Sequence, residues 1–189
     1  MEDNWVVAMR IIPKIISEVL VLEPAVHGDE RGYFMETFRA SIFQENGREF
    51  TFVQDNQSHS KKGTLRGLHY QLQYPQGKLV RVTSGEVFDV AVDIRRSSST
   101  FGSWIGETLS SENKRQLWVP PGFAHGFLVL SDEAELLYKC TEYYNPADEH
   151  CLLWNDLELN IAWPSLDIEP ILSEKDQGAK NLTTAMVYK

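Results

Sequence analysis

Cysteine is nearly missing from this chain: Cys140 and Cys151 are the only two in 189 residues. Neither belongs to a Cys-x-x-Cys pair, which argues against a disulfide framework and for two reduced thiols in a cytosolic protein. Long apolar runs are missing too. Nothing approaches the ~20 consecutive apolar residues that a membrane helix needs. The N-terminus does not read as a signal peptide. Glu2 and Asp3 stand where a basic start is usual, and Pro13, Lys14 and Glu18 interrupt the apolar stretch. Positive charge is scarce, with 18 basic against 27 acidic residues and a net charge of −9. Such a surface repels polyanions and excludes a nucleic-acid partner, although a local Arg/Lys cluster can still hold one small anion. There is no P-loop and no Gly-x-Gly-x-x-Gly, so any phosphate is expected on arginine forks. Repeats, low-complexity stretches and linkers are absent. The expectation is a cytoplasmic, single-domain protein over residues 1–189, with residues 1–9 as an extension.

What is present is a dense series of strand signals. Leu79 to Thr83 is apolar-rich, and Ser84-Gly85 supplies a turn. Glu86 to Ile94 then alternates, with Phe88, Val90, Val92 and Ile94 on one face and Asp89, Ala91 and Asp93 on the other. Period two on either side of a turn predicts a hairpin. Gly102 to Leu109, Gln116 to Val119, Gly126 to Leu130 and Glu135 to Thr141 read as further short strands. Many short strands at regular spacing predict an all-β sandwich or barrel. Helical signal is thin: Ala40 to Asn46 predicts one or two turns with Ser41 as cap. The segment from Pro146 onward is expected to lay short helices or loops over the barrel.

Several residues carry possible chemistry. His69 lies in the extended run Arg66-Gly67-Leu68-His69-Tyr70-Gln71, where it is as readily a packed structural histidine as a base. Lys78 follows the turn Gln76-Gly77 at the start of a strand, a position that commonly faces a barrel mouth, where an ammonium can stabilise an oxyanion. Tyr138, in a strand-like run, is either half-buried packing or a proton donor. His125 sits in Pro120-Pro121-Gly122-Phe123-Ala124-His125-Gly126, a run expected to form a rigid turn that fixes the ring. Asp176 and Asp89 are equal candidates for the carboxylate that orients a histidine. Arg31, Arg66 and Lys175 are candidates for an anion site. Cupin metal sites are built on a His-x-His pair. Here the pair would be His69-Tyr70-Gln71, so the second ligand is missing. No His-Glu-x-x-His is present either, and the reading is a site without metal.

At these residues the chain resembles the dTDP-4-dehydrorhamnose 3,5-epimerase family of cupin-like proteins. The resemblance runs from about Ile12 to Asp176. It is carried by Gly28-Asp29-Glu30-Arg31-Gly32, Phe52-Val53-Gln54-Asp55-Asn56, Leu65-Arg66-Gly67-Leu68-His69, Gln76-Gly77-Lys78-Leu79-Val80-Arg81, Gly85 to Asp93, Gly122 to Phe127 and Ser173-Glu174-Lys175-Asp176. Seven weak segments in this order are too many for coincidence. His27 departs from the pattern, standing where the family commonly has an aromatic residue.

The resemblance implies a jelly-roll subunit, a homodimer that exchanges strands, and a dTDP-4-keto-6-deoxyhexose as substrate. It implies His69 as general base backed by Asp176, Tyr138 as proton donor and Lys78 beside the C4 oxygen. Arg31, Glu36, Gln54, Asn56, Arg66, His125, Glu149 and Lys175 match positions that line the nucleotide-sugar site. The chemistry suits those residue types. C3 and C5 of a 4-keto hexose both flank the ketone, which itself stabilises the enolate, so no cofactor is expected. Imidazole has its ordinary pKa near working pH, as a general base requires. Two rival readings share these residues: an epimerase acting at C3 or C5 only, and a non-catalytic cupin that binds a sugar nucleotide.

Overall fold

A computed structural model describes residues 9–45, 47 and 49–189. Six strands form one sheet: β1 (Met9–Ile12), β2 (Leu20–Pro24), β5 (Gln54–Lys61), β7 (Lys78–Ser84), β10 (Gln116–Val119) and β12 (Glu133–Cys140), in the order β1-β2-β10-β7-β12-β5. Five strands form the second: β6 (Leu65–Gln71), β8 (Glu86–Asp93), β9 (Trp104–Ser110), β11 (Phe123–Val129) and β13 (Glu149–Cys151), in the order β13-β6-β11-β8-β9. Strands β3 (Val26–Asp29) and β4 (Gly32–Met35) make a separate exposed hairpin, and the helices are α1 (Ala40–Glu45) and α2 (Glu174–Gln177). The expected all-β jelly roll is therefore present, as a sandwich of two sheets that do not close into a barrel.

Each layer follows from strand alternation. Val80, Val82, Val87, Ala91, Leu117, Val119, Phe127, Val129 and Leu136 fill the space between the sheets. The opposite face of the five-stranded sheet, with Leu68, Tyr70, Val90, Val92 and Ile94, is covered by Leu152, Leu159, Leu182 and Ala185 of the C-terminal segment. That covering matches the expectation for the chain after Pro146. It also explains why both faces of β8 are buried. The outer face of the other sheet is capped by aromatics, with Phe50 stacked on Trp118 at 4.1 Å between ring centroids.

Three local expectations are corrected. Strands β7 and β8 are not a hairpin: β7 pairs with β10 and β12, and β8 pairs with β9 and β11. Ser84-Gly85 is a corner that passes the chain from one sheet to the other. Gly85 has φ +76°, and a Cβ there would meet Glu133 O at 2.1 Å, so alternation plus a turn identified the strands but not their partners. His125 is not on a rigid turn. Pro120-Pro121-Gly122 forms the turn, and His125 lies within β11. Ser41 lies inside α1 instead of capping it, and Asn46, the expected helix end, lies outside the described residues. Of the expected extension only Met9 is described; it opens β1 and is buried. No helix among the described residues is long and apolar enough to cross a membrane.

Two features hold the frame that the site uses. Strands β6 and β11 approach closely at Gly67 and Gly126: a Cβ on Gly126 would lie 2.7 Å from Arg66 O and 3.1 Å from Gly67 Cα. The register shifts there, between His125 and Phe127. Asp93, fully buried at the end of β8, accepts hydrogen bonds from Arg95 N and Nε, Arg95 Nη2, Ser98 Oγ and Thr100 Oγ1 at 2.7–3.0 Å. Burial alone raises its carboxyl pKa, but these bonds outweigh it and hold the value at about 2.

Gly126→Ala is expected to lower stability by about 1–3 kcal/mol through overpacking, a fall in Tm of roughly 2–12 °C. An unchanged Tm in a thermal melt would remove the close approach as a constraint. Asp93 has a depressed pKa, so its contribution is complete above the unfolded value of ~3.9 and is lost as pH falls through about 2. Asp93→Asn is expected to melt below wild type at pH 7, with the gap closing between about pH 4 and about pH 2. A gap constant across that window would show that the carboxylate charge is not the stabilising element.

Candidate active site

One end of the sandwich opens into a cavity of about 300 Å³ between the two sheets. From the six-stranded sheet, Gln54, Asn56 and Ser58 of β5, Lys78 of β7, and Tyr138 and Cys140 of β12 face it. From the five-stranded sheet come Arg66 and His69 of β6, His125 of β11 and Glu149 of β13, with Lys175 of α2 at the rim. The register explains this meeting. Gln54, Cys140 and Lys78 are aligned across β5, β12 and β7, and Asn56 and Tyr138 stand in the row two residues away. On the facing sheet, Cys151, His69 and His125 are aligned across β13, β6 and β11. Strand β5 alternates cleanly, with Gln54, Asn56, Ser58 and Ser60 inward and Asp55, Gln57, His59 and Lys61 outward.

Both candidate carboxylates hold a histidine. His69 Nε2 is 2.6 Å from Asp176 Oδ1, and Ser173, the N-cap of α2, donates its Oγ to Asp176 Oδ2 at 2.8 Å. Burial opposes charge on Asp176, but the hydrogen bonds from His69 and Ser173 and the charge of Lys175 outweigh it and keep the carboxyl below its usual range. An ionised carboxylate can only accept, so Nε2 carries a hydrogen, and in the neutral ring the lone pair is therefore on Nδ1. His125 Nε2 lies 2.8 Å from Asp89 Oδ1, and that pair is more deeply buried.

Across the cavity, burial lowers the pKa of Lys78, against the pull of Cys140, Glu149 and Asp89. No carboxylate among the described residues pairs with this ammonium, which leaves it available to an oxyanion. Burial and the neighbouring Cys140 raise the Tyr138 hydroxyl, and Arg66 partly opposes them, so the phenol stays protonated. At the rim, Lys175 Nζ bonds Glu149 Oε1 at 2.7 Å and Tyr144 OH donates to Glu149 Oε2 at 2.7 Å. Arg66 Nε donates to Ser60 Oγ at 3.1 Å.

The structure thus brings together His69, Asp176, Lys78, Tyr138, Gln54, Asn56, Arg66, His125, Glu149 and Lys175. It does not bring Arg31 or Glu36 to this cavity. Arg31 sits on the β3–β4 hairpin, paired with Asp29, and Glu36 follows that hairpin and pairs with Arg39. His27 lies on the same exposed hairpin. Sequence reasoning passed over Tyr144 and Gln76, which also line the cavity. It read Gln71 only as a missing metal ligand. Gln71 is in fact a buried brace: its amide donates to Tyr74 O at 2.6 Å and accepts from Asn145 N at 2.8 Å, fixing the loop that carries Tyr144.

A sequence model of the family described as dTDP-4-dehydrorhamnose 3,5-epimerase matches residues 13–184. A dTDP-4-dehydrorhamnose 3,5-epimerase of Shigella flexneri is 58% identical over 179 residues, 94% of this chain and 98% of that protein. The crystal structure of the dTDP-6-deoxy-D-glucose-3,5-epimerase of Legionella pneumophila, in complex with dTDP-4-keto-L-rhamnose, superposes with a TM-score of 0.90 at 55% identity, covering 93% of this chain and 94% of that one. A 3′-monoepimerase from Streptomyces bikiniensis, solved with dTDP-quinovose, superposes at 0.86 and 38% identity, covering 91% and 87%. With the match running nearly end to end, the chain belongs to the dTDP-4-dehydrorhamnose 3,5-epimerase family.

Proposed function

We propose that this enzyme converts dTDP-4-dehydro-6-deoxy-D-glucose to dTDP-4-dehydro-L-rhamnose, moving protons at C3 and C5. The observation that carries the reading is His69 on one sheet, backed by Asp176 of α2, facing Tyr138 and Lys78 on the other sheet across a single cavity. His69 Nδ1 takes the proton beside the ketone, and Asp176 stabilises the imidazolium that results. Lys78 meets the negative charge that develops on O4. Tyr138 returns a proton from the opposite face, which is what inversion requires. One base and one acid serving two carbons means that the sugar ring turns over between the two steps. Arg66, Lys175, Glu149, Gln54, Asn56 and His125 then hold the rest of the nucleotide sugar.

The second reading, epimerisation at one carbon, is favoured by the likeness to the 3′-monoepimerase. Incubation with the 4-keto-6-deoxy substrate in D₂O separates the two. Deuterium at both C3 and C5 in an L-configured product is expected; label at one carbon selects the single-site reading, and none sinks the enzymatic one. His69→Asn is expected to cut turnover roughly 10²–10⁴-fold, and Lys78→Met roughly 10²–10³-fold. In Tyr138→Phe, solvent exchange is expected to outlast inversion, because abstraction survives while return from the far face does not. Equal loss of both would remove Tyr138 as the opposite-face donor.

We further propose that the enzyme is a homodimer in which the β3–β4 hairpin crosses to the partner subunit. A lone two-stranded hairpin is marginal in water, and this one exposes Tyr33 and Phe34, at 60% and 73%. Arg31 and Glu36 would then enter the partner's cavity, in agreement with their match to the family's nucleotide-sugar positions. Light scattering is expected to report twice the chain mass. Phe34→Asp is expected to shift the protein toward monomer and to raise KM more than it lowers kcat. A wild type that remains monomeric at high concentration would exclude the exchange.

A further inference from the structure

Cys151 takes no part in the reaction proposed above. It sits on β13 in register with His69 on β6. Its Sγ lies 3.7 Å from Asp176 Oδ1, the same oxygen that holds His69 Nε2 at 2.6 Å. A nitrogen, a sulfur and an oxygen from these three residues all lie within 4.8 Å of one another. Imidazole, thiolate and carboxylate are the three ligand types that Zn²⁺ accepts. Bonds of ~2.0–2.3 Å around a tetrahedral ion place its donors about 3.3–3.7 Å apart. The sulfur–oxygen spacing already fits. The nitrogen–oxygen spacing has to open by less than about 1 Å, the distance from a shared hydrogen to a shared metal.

The charges balance as well. A divalent ion with one thiolate, one carboxylate and a neutral imidazole sums to zero, which suits a site that is largely out of water. Without a metal the sulfur is a protonated thiol. Burial and then the neighbouring Asp176 push its pKa up to about 12, and it donates weakly to Leu152 O at 3.5 Å and Asp176 Oδ1 at 3.7 Å. The missing His-x-His pair removes the usual cupin metal set. This set is a different one, because β13 adds the sulfur from the neighbouring strand.

We propose that Cys151 makes the His69–Asp176 pair an inhibitory site for Zn²⁺. On binding, the thiol proton leaves to solvent and the imidazole hydrogen moves from Nε2 to Nδ1. Bonds form from zinc to Nε2, Sγ and Oδ1, and no oxidation state changes. The ion thereby takes away the lone pair that the reaction needs. Inhibition rests on reading His69 as the base; metal binding does not.

The test uses the intact wild-type chain and Cys151→Ser. Zinc at micromolar concentration is expected to abolish wild-type activity, with recovery on adding EDTA. Cys151→Ser is expected to keep its metal-free activity and to need at least ~10-fold more zinc, the loss caused by removing even an outer partner of a metal ligand. Co²⁺ in place of zinc is expected to give a thiolate charge-transfer band in the near ultraviolet with wild type and none with Cys151→Ser. The site is overturned if wild type gives no such band, if the band survives in Cys151→Ser, or if zinc inhibits both proteins equally. A band in wild type together with undiminished activity would uphold the metal site and sink His69 as the base.

Discussion

The constraint on which this structure depends is that one set of inward-facing strand positions must supply both an apolar core and a polar cavity. Strand β12 turns Ala134 and Leu136 into the core and Tyr138 and Cys140 into the cavity, at successive positions on the same face. Strand β7 does the same with Val82, Val80 and then Lys78, and β11 carries His125 between Phe123 and Phe127. Because side chains alternate with period two, a slip of one residue in any of these strands would send its functional group to the outer face. The core therefore fixes the register, and the register fixes the site. That is also why burial, not a nearby charge, is the leading influence on both Lys78 and Tyr138.

The close approach of β6 and β11 extends this logic between neighbouring strands. With no side chain at Gly67 or Gly126, the two backbones draw together where the register shifts, and the next aligned pair is His69 beside His125. The glycines carry no chemistry, but they determine which two imidazoles become neighbours.

Much of this was legible in the sequence where apolar alternation was strong. Most strands from Lys78 to Cys140 were found close to their observed bounds, because each puts hydrophobic residues on at least one face, but β11 was started three residues late and so lost His125. Strand β5 shows why other parts were hidden. Gln54 to Lys61 contains no apolar residue, so its alternation between cavity and solvent leaves no hydrophobic signal. Partner choice was hidden for a different reason. The Ser84-Gly85 turn looks the same locally whether it closes a hairpin or rounds a corner between sheets, and only the long-range pairing with β12 decides. The pairing of each carboxylate with its histidine was likewise open. Asp89 and Asp176 were equivalent by spacing, and both proved to be partners, of different rings.

Those two imidazole–carboxylate pairs differ in a way that bears on which ring suits the proposed role of base. Their hydrogen bonds are similar, at 2.6 and 2.8 Å. Their access is not: the side chain of His69 is 23% exposed and that of His125 is 9%. A base that takes a carbon-bound proton must release it to solvent before it can act again. His69 can do so, because it also lines a second opening beside Thr64, Ile171 and Asp176. His125 has Asp89 behind it, with one carboxylate oxygen buried and without a partner among the described residues, and it lines the shared cavity but not the second opening. A ring in that setting is suited to holding a substrate oxygen in place. The same exposure that would let His69, as the proposed base, pass a proton to water leaves its donor atoms within reach of a metal ion, and the adjacent β13 sets a thiol beside them.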